Sequence, residues 1–229
     1  MIRAIIFDLD DTLYDEMQFV RGGFKAVSSY TSKNANVNQN VVYQLLLDVL
    51  EKHGRGQTFD IALKKLGLYN KNLIPKLVEV YRAHKPKLSL YSEVRTILST
   101  LRKQGYKLGL ITDGNVEVQR NKVEALKIKD FFDCIIFSDE YGIEKQKPNP
   151  FPYQKAMEEL KVSARETIYI GDNPYKDFVS AKKLGIHTIR IMRGQYKNVT
   201  LNKEFEAEYQ IINLGELIDI VPQIKESNK

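Results

Sequence analysis

Between Ala4 and Phe7 the chain is apolar without interruption, and then turns polar at once, with Asp8, Asp10, Asp11 and Thr12. An apolar run of this length fits a strand covered on both faces, as in a parallel sheet. The period then changes. From about Asp15 to Pro86 apolar residues recur at helical spacing, over Met17–Tyr30, Val41–Leu50, Phe59–Leu66 and Ile74–Ala83, with Gly54, Gly67 and Pro86 as stops. No strand-like alternation interrupts them, which predicts an all-helical segment inserted after the first strand. Beyond Leu88 helices and buried strands alternate. Ser92 is read as the N-cap of a helix to Gln104, closed by Gly105. The strand Lys107–Ile111, a helix over Val116–Leu126 and the strand Cys134–Phe137 follow. After a loop holding Lys147-Pro148-Asn149-Pro150 come the helix Phe151–Leu160, a turn at Ser163, the strand Thr167–Ile170, a helix near Asp177–Leu184 and the strand His187–Ile191. Tyr209–Ile212 reads as an edge strand, Leu214–Ile220 as a short last helix, and the tail from Lys225 as frayed. The pattern predicts an α/β fold, a mostly parallel sheet with helices on both faces, built from 1–14 and 88–229 around a helical insertion at 15–87.

Composition narrows the class. The 229 residues suffice for one large core plus a smaller insertion. Lysine and arginine number 35 against 29 acids, a net charge of +6. The lysines scatter over predicted helix faces (Lys64, Lys65, Lys182, Lys183) and form no basic stripe with aromatics, so a solvated surface or an anionic small substrate is favoured over a nucleic-acid polymer. The single cysteine, Cys134, lies in an apolar strand and reads as a buried thiol. No segment reaches the roughly 18 apolar residues of a membrane span and no signal-peptide pattern is present, so the chain reads as soluble and cytoplasmic.

The candidate chemistry lies where strands end. Functional groups of open parallel sheets sit beyond the carboxyl ends of the strands. Asp8 and Asp10, one residue apart on an extended chain, point to the same side. Two such charges about 4 Å apart repel by roughly 4 kcal/mol at an effective dielectric near 20. A divalent cation with oxygen ligands would join them. For an isolated aspartate, capping the next helix would be the better reading; the apolar strand leading straight into this pair argues for function. The other tips supply Thr112-Asp113-Gly114-Asn115, Lys147, and Gly171-Asp172-Asn173 with Asp177 a turn further on.

With these pieces in order, the chain resembles the haloacid dehalogenase-like (HAD) superfamily, in the branch whose helical cap lies between the first and second motifs. The matching stretches are Asp8-Leu9-Asp10-Asp11-Thr12, Ile111-Thr112-Asp113-Gly114, Lys147-Pro148 and Gly171-Asp172-Asn173-Pro174-Tyr175-Lys176-Asp177. The resemblance implies a Rossmann-like core with a mobile cap, and a Mg²⁺-dependent phosphatase acting on a small phosphomonoester. Asp8 would be the nucleophile that forms an aspartyl-phosphate. Asp10 would protonate the leaving alcohol and then deprotonate water, with a pKa above that of its neighbour. Asp8, the carbonyl of Asp10 and Asp172 would hold Mg²⁺. Thr112 and Lys147, with backbone N–H groups near Asp113 and Gly114, would take the phosphoryl oxygens. Asp177 would orient Lys147 or a metal-bound water, and Thr12 would brace the loop.

Several readings stay open on sequence alone. Lys145 rivals Lys147, Asp177 could be a helix first-turn acid, and Asn115 is an N-cap candidate. Asp113 stands where many relatives carry Asn, so its side chain is free to point elsewhere. His53, His84 and His187 show no metal-ligand spacing, and Gly54-Arg55-Gly56 lacks the P-loop pattern. Tyr14, Arg21 and Phe24 are candidates for the substrate mouth. Gln119 near the second motif gives a faint likeness to relatives acting on nucleoside monophosphates or acyl-sugar phosphates. A phosphomutase of the same family and a catalytically idle binding module remain the alternatives. The oligomeric state is not legible.

Overall fold

The structure, a computed structural model, describes residues 1–224; the tail from Lys225, read above as frayed, lies outside them. Six strands form one sheet: β1 (Ala4–Phe7), β2 (Lys107–Thr112), β3 (Cys134–Phe137), β4 (Thr167–Gly171), β5 (His187–Ile191) and β6 (Tyr209–Ile211). Their order is β3-β2-β1-β4-β5-β6, and every neighbouring pair is parallel. The α-helices of the described residues are α1 (Met17–Ala35), α2 (Gln39–His53), α3 (Thr58–Lys65), α4 (Leu73–Ala83), α5 (Val94–Lys103), α6 (Val116–Leu126), α7 (Phe151–Leu160), α8 (Val179–Leu184) and α9 (Leu217–Ile220).

The chain divides into two compact units: Met1–Glu16 with everything from Leu88 onward, and Met17–Lys87. In the first, β1 lies mid-sheet because all four of its side chains are apolar and fully buried. Register levels the strand tips. Phe7 is paired with both Leu110 and Ile170, and the Asp8 N–H continues the ladder to the Ile170 carbonyl at 2.8 Å. Asp8, Thr112 and Asp172 therefore leave the sheet at one rim. Ile6, Ile111, Ile136 and Tyr169 pack with Tyr153, Ala156 and Leu160 of α7 and with Phe178 and Ala181. Each fully buried large apolar side chain contributes about 1.5–3 kcal/mol. Val94, Ile97, Leu98 and Leu101 form the buried stripe of α5, which packs on β2 and α9.

The second unit is helical. Val20, Phe24 and Val27 of α1 meet Val42, Leu46 and Val49 of α2, with Ala62, Leu63 and Leu77 closing the cluster. Asn38 caps α2, its Oδ1 accepting from the N–H groups of Asn40 (2.9 Å) and Val41 (3.4 Å). The first unit is tied to itself on either side of the inserted stretch in sequence: Tyr14 bridges Leu90 in antiparallel fashion, and the Tyr91 N–H donates to the Leu13 carbonyl at 3.1 Å.

Among the predicted boundaries that shift, two have a clear cause. Ser92 does not cap α5; it lies in a turn, and Glu93 directly precedes the helix. The Glu93 carboxylate is taken by Arg193 at 2.6 Å, a partner a hundred residues away. Helix α8 begins at Val179, so Asp177 sits in the preceding turn, its N–H donating to the Asn173 carbonyl at 3.0 Å.

Candidate active site

The loop after β1 curls back on itself through the Leu13 N–H to Leu9 carbonyl bond (2.9 Å), with Asp11 in the left-handed region at φ 55°. Asp11 braces the turn: one carboxylate oxygen accepts from the Glu16 N–H and the other from the Gln195 N–H, each at 3.0 Å. The residue before Gln195 is Gly194, at φ +70°, where any Cβ would lie 2.3 Å from the Asp11 side chain. Only glycine fits there. The Thr12 hydroxyl, expected to be the brace, is buried and has no hydrogen-bond partner among the described residues. Its carbonyl instead accepts from Arg193, whose guanidinium also stacks on Tyr91.

Lys147 rather than Lys145 reaches the tip of β1. Its ammonium is fully buried and has three partners: Asp8 Oδ1 at 2.5 Å, Asp177 Oδ1 at 2.9 Å and the Tyr169 hydroxyl at 2.8 Å. Lys145 lies over the ring of Phe151. Burial works against the Lys147 charge, but Asp177 and Asp8 outweigh it and hold the lysine well above its usual value. Asp177 is itself fixed, its Oδ1 accepting from the Tyr169 hydroxyl (3.2 Å) and its Oδ2 from the Asn173 N–H (2.9 Å). A Cβ on Gly171 would fall 2.4 Å from that carboxylate, so glycine is what lets β4 end against it.

The second motif divides its work. Thr112 is buried, and its hydroxyl accepts from Gln119 Nε2 at 2.5 Å, which leaves the hydroxyl proton to be donated. The Asp113 carboxylate turns away to Ser138 Oγ (2.7 Å), the Lys147 N–H (3.2 Å) and Lys176 Nζ (2.9 Å). Burial tends to raise it, yet Lys147 and Lys176 keep it below the usual carboxylate value. The Gly114 N–H donates to Asp139 Oδ1 at 3.0 Å. Asn115 caps α6, accepting from the Val118 N–H at 3.2 Å.

Asp10 is held by residues that sequence reasoning did not gather. Its Oδ1 accepts from Lys122 Nζ at 2.7 Å and the Tyr14 hydroxyl at 2.5 Å, and its Oδ2 from Gln119 Nε2 at 2.9 Å. Burial pushes this carboxyl up, but Lys122, Gln119 and Tyr14 together bring it below the usual value. Asp8 goes the other way. Burial raises it to about 7, against the pull of Lys147. The two acids thus shift in opposite directions, because Asp10 faces three donors, whereas burial and the neighbouring Asp177 outweigh Lys147 and Lys176 at Asp8.

Asp172 completes the rim. It is buried, and its carboxyl is pushed well above the usual value by burial and by the nearby Asp177, Asp8 and Asp11. Its carbonyl accepts from Arg190 Nε at 3.2 Å, and Arg190 is locked by both oxygens of Glu206 (2.9 and 2.8 Å) and the Tyr196 carbonyl. Among the described residues no three His, Cys, Asp or Glu side chains group as metal ligands, and the Asp10 carboxylate is paired with Lys122. The side-chain donors at the rim are Asp8 and Asp172, both raised chiefly by burial and further by neighbouring acids. Two carboxylates with all-oxygen donors fit magnesium, which keeps waters and takes substrate oxygens for its remaining positions.

Other candidates lie elsewhere. Phe24 is core of the helical unit, packed on Phe59 and Tyr81, and Arg21 is exposed. His187 is buried with Nδ1 3.4 Å from Glu208, and His53 is exposed. Cys134 is buried and its thiol is pushed up to about 12 by burial, which suits no nucleophile. No helix of the described residues is long and apolar enough to cross a membrane. A signal for the missed pair was present. Gln119 and Lys122 share the buried stripe of α6 with Val118, Val123 and Leu126, a face where polar residues need a reason.

Comparison with known proteins agrees with this geometry. A model of the family described as haloacid dehalogenase-like hydrolase matches residues 5–191. The chain is 36% identical to the glyceraldehyde 3-phosphate phosphatase of Methanocaldococcus jannaschii, over 98% of this chain and 99% of that protein. It is 33% identical to the protein of the same name from Pyrococcus furiosus, over 100% of this chain and 96% of that one. Among solved structures it is similar to a HAD phosphatase from Thermococcus onnurineus (TM-score 0.66, 26% identity, 96% of this chain and 98% of that one).

Proposed function

The chain belongs to the haloacid dehalogenase-like hydrolases, and from that premise we propose that it is a magnesium-dependent phosphatase that hydrolyses a small phosphomonoester through an aspartyl-phosphate on Asp8. The observation that carries the reading is the buried Lys147–Asp8 pair at 2.5 Å, with Asp10 one residue on and held by donors of its own. An Asp8 oxygen bonds to phosphorus as the bond from phosphorus to the leaving oxygen breaks, and the Asp10 carboxyl gives its proton to that oxygen. Water oxygen then bonds to phosphorus, the Asp8–phosphorus bond breaks, and Asp10 takes the water proton back. The alcohol and inorganic phosphate leave, and both acids return to their starting state.

The arrangement of donors around Asp10 favours its carboxylate form, the one required to accept the water proton. Thr112 donates to a phosphoryl oxygen, and Lys147 balances the charge that phosphorylation of Asp8 brings into a buried place. Asp8, Asp172 and the Asp10 carbonyl would hold magnesium, which would supply a Lewis acid to draw charge from the phosphoryl oxygens. Asp177 and Tyr169 keep Lys147 in register, and Asp11 and Arg193 do the same for the acid loop. The relative's name makes glyceraldehyde 3-phosphate the first substrate to try, and the net charge of +6 suits an anion of that kind.

The test is phosphate release from glyceraldehyde 3-phosphate, other sugar and nucleoside phosphates, and 4-nitrophenyl phosphate with Mg²⁺. Turnover should fall to background in Asp8→Asn and in EDTA. Wild-type turnover by Asp8→Asn would overturn the covalent scheme, and a panel with no phosphate released would overturn the phosphatase.

A further inference from the structure

Helix α6 spends its buried face oddly. Val118, Val123 and Leu126 are what a helix packed on a sheet should present, yet Gln119 and Lys122 lie on the same stripe, only 2% and 4% exposed. Holding this helix to the core does not require them. Apolar residues at both positions would pack it without the desolvation cost of an ammonium and an amide. Each instead reaches the same carboxylate. Lys122 meets Asp10 Oδ1 at 2.7 Å and Gln119 meets Oδ2 at 2.9 Å, so the plane of the carboxylate is gripped from both ends. Tyr14, on the chain just beyond Asp10, adds a third donor on Oδ1 at 2.5 Å.

Gln119 ties this grip to the phosphate side of the rim. Its Nε2 also faces Thr112 Oγ1 at 2.5 Å and the Asp113 carbonyl at 2.7 Å. Its Oε1, buried, has no hydrogen-bond partner among the described residues. An amide kept for structure alone would satisfy its carbonyl and need not crowd three acceptors around two hydrogens. This one is arranged for its nitrogen. Lys122 is steadied in turn by Glu16 at 3.9 Å.

Resting on the phosphatase reading above, we propose that Gln119, Lys122 and Tyr14 are positioning residues that aim the Asp10 carboxyl group at the leaving-group oxygen. They touch no reacting atom. They fix where the proton of Asp10 is delivered relative to the phosphoryl group that Thr112 holds. Their importance must then scale with the leaving group's need for a proton. An alkoxide departs poorly without one, whereas 4-nitrophenolate departs as a stable anion. A residue that only stabilised the fold would affect both alike.

The experiment compares kcat/KM, which reports the steps up to phosphoryl transfer, for wild type, Gln119→Leu, Lys122→Met and Tyr14→Phe over a series running from 4-nitrophenyl phosphate to alkyl phosphates. We expect kcat/KM for alkyl phosphates to fall about 10²-fold in Gln119→Leu and Lys122→Met, the lower end of what a placed general acid contributes. For 4-nitrophenyl phosphate the loss should stay within about threefold, so that the dependence on leaving-group pKa steepens. Tyr14→Phe should steepen it less, because Lys122 still holds the same oxygen. An equal loss on every substrate, or no loss at all, overturns the proposal; if Lys122→Met does not fold, Gln119→Leu and Tyr14→Phe decide it. Active Asp8→Asn would mean that the covalent scheme has failed, and no phosphate released from any substrate by wild type would mean that the phosphatase reading has. An inactive Asp8→Asn with unchanged slopes in the other variants would mean that only this proposal has.

Discussion

Replacing Asp8 by Asn offers a direct measure of what the acid rim costs. Burial raises Asp8 from 3.8 to about 7. Such a carboxyl binds its proton more tightly folded than unfolded, so stability is greatest below the unfolded value and is lost as pH rises towards the folded one. The window runs from about pH 4 to about pH 7. Three pKa units correspond to about 4 kcal/mol at 1.36 kcal/mol per unit. For a chain of this size that is roughly 8–16 °C in melting temperature. Asn keeps an oxygen for Lys147 and removes the charge. In EDTA, Asp8→Asn should therefore match wild type near pH 3.5 and melt increasingly above it up to about pH 7, with no further gain beyond. Thermal melts at half-unit pH steps, read as the difference between the two proteins, report Asp8 together with the neighbours it shifts, Asp172 and Lys147, and cancel the titrations of groups remote from it. A difference independent of pH, or one that shrinks as pH rises, would refute the reasoning from burial.

Two further outcomes follow from the same geometry. Magnesium must displace the protons that Asp8 and Asp172 hold, so calorimetry in two buffers at pH 6 should show net proton release, and affinity should rise with pH up to at least about pH 7. Gly194→Ala would put a Cβ into the Asp11 side chain from a left-handed backbone; a loss of about 1–3 kcal/mol in urea unfolding is expected, with kcat reduced because Asp11 holds the turn that carries Asp10.

Much of the fold could be read because each strand pairs a continuous apolar run with a polar tip. Ala4–Phe7 into Asp8, Leu108–Ile111 into Thr112, and Ile168–Ile170 into Asp172 all carry that contrast, and register then brings the tips level. Lys147 could be preferred to Lys145 from the proline that follows it, and the structure sets it against Asp8. What escaped were residues whose partners lie far along the chain. Lys122 and Gln119 meet an acid more than a hundred positions away, and nothing local separates them from ordinary helix polar residues except their place on an apolar stripe. Ser92 misled for the converse reason. Serine before an apolar helix is a sound cap signal, but Arg193 draws Glu93 into a tertiary ion pair and the helix starts two residues later. The resemblance pointed to Thr12 as the brace, whereas Asp11 holds the turn with both oxygens.

The Tyr14–Leu90 bridge, with the Tyr91 N–H on the Leu13 carbonyl, means that the outgoing and returning strands of the excursion are already stitched together at the point of departure. Adjacent antiparallel strands need no more than a two-residue hairpin to join them. The whole helical segment is therefore a detachable graft on a closed stem: a different insert, long or short, can be spliced between those two tyrosine-flanked ends without asking the sheet to move.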